Sequence, residues 1–177
     1  MHHEPHPFWR FSLRVYRAPG VQQACLALQD DCGADVNLVL LCGFAGHAGR
    51  SLDKRRLRQA MARVGAWQSD VVAPVRKARR AIKRTPPADA QAAQDLRRQI
   101  LALELELEYV EQAMLAELAA LWPPPVHRGA PQATVEANLQ RYLGLLGCAA
   151  RPADPAHLKA IIDACCAAQR ESCRAGS

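Results

Sequence analysis

Aromatic residues make up only 5% of this chain, and Ile and Thr are scarce beside Ala and Leu. Side chains that fill pleated sheets are therefore in short supply, and the composition predicts helices. No stretch approaches the ~18 consecutive apolar residues of a membrane span. The opening "MHHEPHPFWRF" has no apolar core of the kind that directs export, so neither export nor membrane association is expected. Lipidation patterns are absent at both ends. The seven cysteines are odd in number and include no C-x₂₋₄-C pair. That pattern predicts free thiols in a reducing, cytoplasmic compartment and no metal site. His2, His3 and His6 lie together, but no histidine has ligand spacing.

What the chain does have is charge, unevenly spread over a net +6. Residues 50–84 hold twelve Lys or Arg against two Asp, whereas residues 85–121 hold two Arg against seven acids. With 177 residues and no internal repeat or low-complexity linker, the chain is expected to form one domain over 1–177.

Proline, glycine and capping residues divide it into about eight helical segments. Phe8 to Ala18 reads as an amphipathic helix, with Arg10, Arg14 and Arg17 opposite an apolar face. Val21 to Cys32 follows and turns Cys25, Leu26 and Leu28 inward, with Gly33 at its end. Asp35 is a good N-cap for a third helix that is apolar all round, and hence central. Ser51 is expected to cap a fourth to about Trp67, and Asp70 to open a fifth to about Arg84, with a Val71, Val75, Ala78, Ile82 seam. Asp89 caps the sixth, which runs for ~30 residues without Gly or Pro. Its apolar seam steps from Leu96 through Leu103, Val110 and Met114 to Leu121. Two further helices are expected near 134–147 and 154–173. The architecture implied is an N-terminal cluster (7–67), a long antiparallel charged hairpin (70–122), and C-terminal helices (133–173) that pack back on the cluster.

Three groups of residues could carry function. Gly43, Gly46 and Gly49 match no phosphate-binding pattern and read as close-packing positions. Ser12, Tyr16, Gln29, Asp35 and Asn37 converge if the first three helices pack together, and then line a small polar pocket. The alternative is that they only satisfy buried backbone, with Ser12 bonded to a carbonyl of its own helix. The pocket includes neither a histidine base nor a paired acid, so no catalytic residue and no reaction class can be assigned, and no cofactor is expected. Arg55, Arg56, Arg58, Arg76, Arg79, Arg80, Lys83 and Arg84 form a basic stretch suited to RNA or the ribosome, partly balanced by Glu104, Glu108 and Glu111 across the hairpin. Trp67 is the lone aromatic there, and no RNA-binding signature accompanies it.

The string from Pro7 to Gly46 carries Phe8-Trp9, Phe11-Ser12-Leu13, Pro19-Gly20-Val21, Leu28-Gln29-Asp30, Gly33 and Asp35-Val36-Asn37-Leu38. These elements resemble the opening of a bacterial family of small helical proteins, a domain of unknown function. Phe44-Ala45 departs from the aromatic and large aliphatic residue that members often place there. The resemblance implies a cytosolic, all-helical bacterial protein and brings no activity with it. Function is expected to be that of a non-catalytic protein-interaction module. The alternatives are RNA association through 50–84 and a ligand pocket in the N-terminal cluster. A homodimer through the long helix is a further expectation.

Overall fold

Caps and breakers set the helix limits, and a computed structural model describes the outcome for residues 5–84, 90–124, 130–148 and 154–174, the side chains of 168–174 excepted. The fold is all-α, with no strand among the described residues. α1 (Pro7–Arg17) starts on a proline, whose missing N–H costs nothing in the first turn. α2 (Val21–Cys32) ends at Gly33, which takes the left-handed φ of 64° expected of a C-terminal glycine. α3 (Val36–His47) is capped by Asp35, whose Oδ1 accepts the Asn37 N–H at 2.8 Å. As its all-round apolar character predicts, α3 is the central helix and packs against α1, α2, α6 (Ala90–Ala120), α7 (Pro131–Leu145) and α8 (Pro155–Arg174). The expected caps at Asp89 and the histidines at 2, 3 and 127 lie outside the described residues.

Two glycines of α3 permit that central placement. A Cβ on Gly46 would stand 2.6 Å from the Val135 Cα of α7, and one on Gly43 would stand 2.5 Å from the Cys165 Sγ of α8. Between α3 and the fourth helix, Asn138 is fully buried and holds the loop from both sides. Its Oδ1 accepts the Leu52 N–H, and its Nδ2 donates to the carbonyls of Cys42 and Arg50.

The hairpin departs from its expected limits. Asp53, not Ser51, caps α4 (Lys54–Trp67), its Oδ1 accepting the Arg56 N–H at 2.7 Å. A carboxylate suits the positive helix end better than a hydroxyl does. Nor does Asp70 open a new helix. α4 continues through one π turn (Gln68–Val72) into α5 (Ala73–Arg84). Pro74 has no N–H to offer the Asp70 carbonyl, and the π turn absorbs that lost bond, Ala73 N–H reaching instead to Gln68 O. The first arm of the hairpin is thus the whole run from Lys54 to Arg84, laid against α6 along its length. Arg50 Nη1 closes the far end, donating to the Ala119 carbonyl in the last turn of α6 and to the Trp122 carbonyl just beyond it.

The seam expected on α6 is covered only toward its C-terminal end, where Met114 and Leu118 pack against the core. Leu96, Leu103, Val110 and Leu121 are 40–82% exposed, while Glu104, Glu111, Gln112 and Leu115 are buried. Arg79 of α5 draws Glu104 in, while Glu111 and Gln112 are buried against Asp35 and Asn37 at the start of α3. α5 itself has no buried residue, so the distal hairpin extends beyond the hydrophobic core. Leu26 of α2 is exposed as well, against expectation.

The expectation of free thiols fails for one pair. Cys32, at the end of α2, and Cys148, after α7, form a disulfide across 116 residues of sequence, with Cα atoms 5.6 Å apart. Parity and spacing cannot show which helix ends the fold brings side by side. Cys25, Cys42 and Cys165 are buried free thiols.

The α3 glycines separate close packing from helix propensity. Gly46→Ala drives a methyl into the backbone of α7 and is expected to cost about 1–3 kcal/mol or more. Gly65→Ala in α4, with open space around the new methyl, should stabilise by about 0.5–1 kcal/mol. Urea denaturation of the two variants measures both, and similar midpoints would contradict the packing account.

Candidate functional site

The polar residues singled out in the sequence gather where the hairpin leaves the core. α1 contributes Ser12 and Tyr16, α2 contributes Gln29, and α3 contributes Asn37; all four line one cleft of about 430 Å³. Its opposite wall is the hairpin, with Arg76, Arg79 and Arg80 from α5 and Glu104, Glu108 and Gln112 from α6. Asp35 opens instead on an adjoining, shallower cavity of about 480 Å³ toward Gln68 and Tyr142. Gln29, Arg76 and Arg80 border both. Two sets of residues that looked separate in the sequence, the polar set and part of the basic stretch, therefore face each other.

At the base of the cleft a polar junction ties the hairpin to the cluster. Gln112 Nε2 donates to Asn37 Oδ1 at 2.8 Å, and both residues are buried. Gln68, in the π turn, donates to Asp35 Oδ2 at 3.3 Å, and the Asp35 N–H donates to the Tyr142 hydroxyl at 2.9 Å. Glu111 completes the junction. It was expected to balance the basic arm, but it is fully buried and faces the Asp35 carboxylate and the Asn37 amide. Neither of its oxygens meets hydrogen-bond geometry with a protein group. Burial, reinforced by the Asp35 charge, pushes its carboxyl up to about 9, so it is protonated at neutral pH.

Higher in the cleft the arginines are partly spent. Arg76 Nη2 meets Glu108 Oε1 at 2.5 Å, and Arg79 Nε meets Glu104 Oε1 at 2.6 Å. The Glu104 bond holds the Arg79 guanidinium more firmly charged. Arg56 is tied to the Ser51 carbonyl, whereas Arg55, Arg58, Arg80, Lys83 and Arg84 are exposed. The basic stretch is accordingly divided between internal pairing and solvent. Burial also raises Tyr16, with the Cys25 thiol and Glu108 adding to it. The thiols of Cys25 and Cys165 are pushed up to about 12, again by burial, which keeps them un-ionised and poor nucleophiles.

Sequence reading missed Glu111 and Gln112. Their spacing places them on the same side of α6 as Glu104 and Leu115, but adjacent Glu and Gln on a charged helix read as solvated. The expected bond from Ser12 to its own helix is absent: Ser12 is 3% exposed and its Oγ has no protein partner. No cluster of three or more His, Cys, Asp or Glu suited to a metal occurs among the described residues.

A family model described as "Protein of unknown function (DUF2390)" matches residues 7–115, a span that includes every wall of the cleft from Trp9 to Gln112. No curated protein and no solved structure matches the chain.

The junction has a pH signature. In the folded protein Glu111 keeps its proton to about pH 9, whereas in the unfolded chain it ionises near 4.5. Between these values the folded state binds the extra proton, so this group's contribution to stability falls as pH rises. Glu111→Gln removes that dependence. The stability of the variant relative to wild type should climb from pH 5 to pH 8, by up to about 1.4 kcal/mol per pH unit. Denaturant melts of both proteins across that range, taken as a difference so that the histidines cancel, test it; a flat difference contradicts the assignment.

Proposed function

The chain belongs to the DUF2390 family of proteins of unknown function, and we propose that it acts as a non-catalytic interaction module whose contacting element is the outer face of α6. The observation that carries this reading is the heptad-spaced trio Leu96, Leu103 and Val110, which are 47%, 45% and 40% exposed on the longest helix of the fold. Leu121, just past the helix end, extends the trio and is 82% exposed. Apolar side chains repeated every seven residues suit a partner helix that carries a matching stripe, because each knob then finds a hole on the facing helix. Leaving such a stripe in water forgoes about 25 cal/mol per Å² that a partner helix recovers. The partner proposed is a helix of another protein, and the whole chain serves as one domain that presents it. No helix among the described residues is long and apolar enough to cross a membrane.

The exposed cations Arg55, Arg58, Lys83 and Arg84 remain available to steer an acidic partner toward the hairpin. Polyanion binding makes a different demand, since it depends on those cations and falls steeply with salt.

The two are separated by paired variants. Leu96→Glu/Leu103→Glu leaves the fold within about 0.5 kcal/mol, because both positions already face water. The double variant should lose at least tenfold in the amount of the protein that co-purifies with the tagged chain after crosslinking in its native cell. Arg55→Glu/Arg58→Glu should keep that protein, and nuclease should not release it. Retention by the leucine variant, or loss on nuclease treatment, overturns the reading. A doubled mass of the purified wild type in light scattering, abolished by the leucine variant, would instead make the partner a second copy.

A further inference from the structure

Among the described residues, three of the seven exposed large apolar side chains do not belong to the outer face of α6. Leu26, Leu101 and Leu105 all open into the cleft between α1–α3 and the hairpin. Trp9, Leu13, Val36 and Leu40 complete its apolar walls. At about 430 Å³ the cleft falls within the range that encloses a small molecule.

Polar or charged side chains supply eleven of its eighteen lining residues, and among them an unmet buried acceptor and an unpaired cation mark two ends. At the inner end, Ser12 and Gln112 are 3% and 2% exposed, and Ser12 Oγ and Gln112 Oε1 have no protein partner. One bond orients the Gln112 amide. Its Nε2 is committed to Asn37 Oδ1, so its Oε1 is left as an acceptor that needs an N–H or O–H. Leaving buried acceptors unmet is costly, which makes this end selective for a donor. At the outer end, Arg76 and Arg79 are neutralised by Glu108 and Glu104, whereas exposed Arg80 makes no hydrogen bond or ion pair among the described residues. The separation of the ends follows from α6. Glu104, which holds Arg79, lies eight residues before Gln112, or about 12 Å along the helix at 1.5 Å per residue.

We infer that this cleft is a binding site for a small, largely apolar carboxylic acid that carries a hydroxyl or amide N–H at its far end. The carboxylate pairs with Arg80, the chain or ring body covers Leu26, Leu101 and Leu105, and the distal donor meets Gln112 Oε1 beside Ser12 Oγ. The outer face of α6 plays no part in this, so the site stands whether or not that face docks a protein.

Calorimetric titration of the full chain with three probes tests it: 10-hydroxydecanoate, decanoate without the distal donor, and 1,10-decanediol without the anion. The hydroxy acid should bind saturably and roughly tenfold or more tightly than decanoate, because the analogue leaves the buried acceptor unpaired. Arg80→Ala, at an exposed position that does not endanger the fold, should reduce the hydroxy acid to the affinity of the diol. Equal binding of the hydroxy acid and decanoate overturns the inference. So does an unchanged affinity in Arg80→Ala, or the absence of saturable binding by all three.

Discussion

The hydrogen bond from Gln112 to Asn37 lies where the hairpin meets the core, and the rest of the architecture hangs on it. Below this point α6 is part of the core, with Leu115 fully buried against the cluster. Above it no apolar residue of α5 or α6 is buried, and the two arms are joined by Arg76–Glu108 and Arg79–Glu104. A polar contact at such a boundary fixes orientation in a way that leucine packing does not, since a shift of one residue along α6 would leave both amides unpaired. Gln68 on Asp35 performs the same task from the other arm.

That boundary also explains why a cleft exists. The hairpin is held to the cluster at its base, and farther out its arms attend to each other. The wedge between α1–α2 and α5–α6 is then lined by side chains that the core has not claimed, among them Ser12, Gln29 and Leu101. Glu111 adds a cost at the same place, because a buried carboxyl facing another carboxylate can be kept only in its protonated form.

Much of this fold is legible in the chain. Helix limits set by Gly33 and Asp35 follow from local chemistry, and the central position of α3 follows from its uniform apolar character. The glycines of α3 were readable as points of close approach, and α7 and α8 supply the neighbours. What was not legible depends on partners far away in sequence. The α6 seam looks like a core stripe by periodicity, yet burial follows what faces the helix: Arg79 for Glu104, Asn37 for Gln112 and the core for Leu115. The π turn required noticing that Pro74 withholds a bond from Asp70. The Cys32–Cys148 bridge joins two helix ends whose adjacency no local pattern encodes. Of the candidate site, Ser12, Tyr16, Gln29 and Asn37 do share one cleft, and Asp35 lies beside it. Glu111 and Gln112 were invisible because a buried acid on a charged helix has the same sequence signature as a solvated one.

The most direct test of the junction is a double-mutant cycle on Asn37→Ala and Gln112→Ala, read from denaturant unfolding. If the buried pair holds the hairpin to the core, the two losses are coupled by about 1 kcal/mol or more, the range for residues that share a hydrogen bond. Losses that simply add, to within about 0.3 kcal/mol, would mean that the two side chains act independently and that the hairpin is positioned by something else.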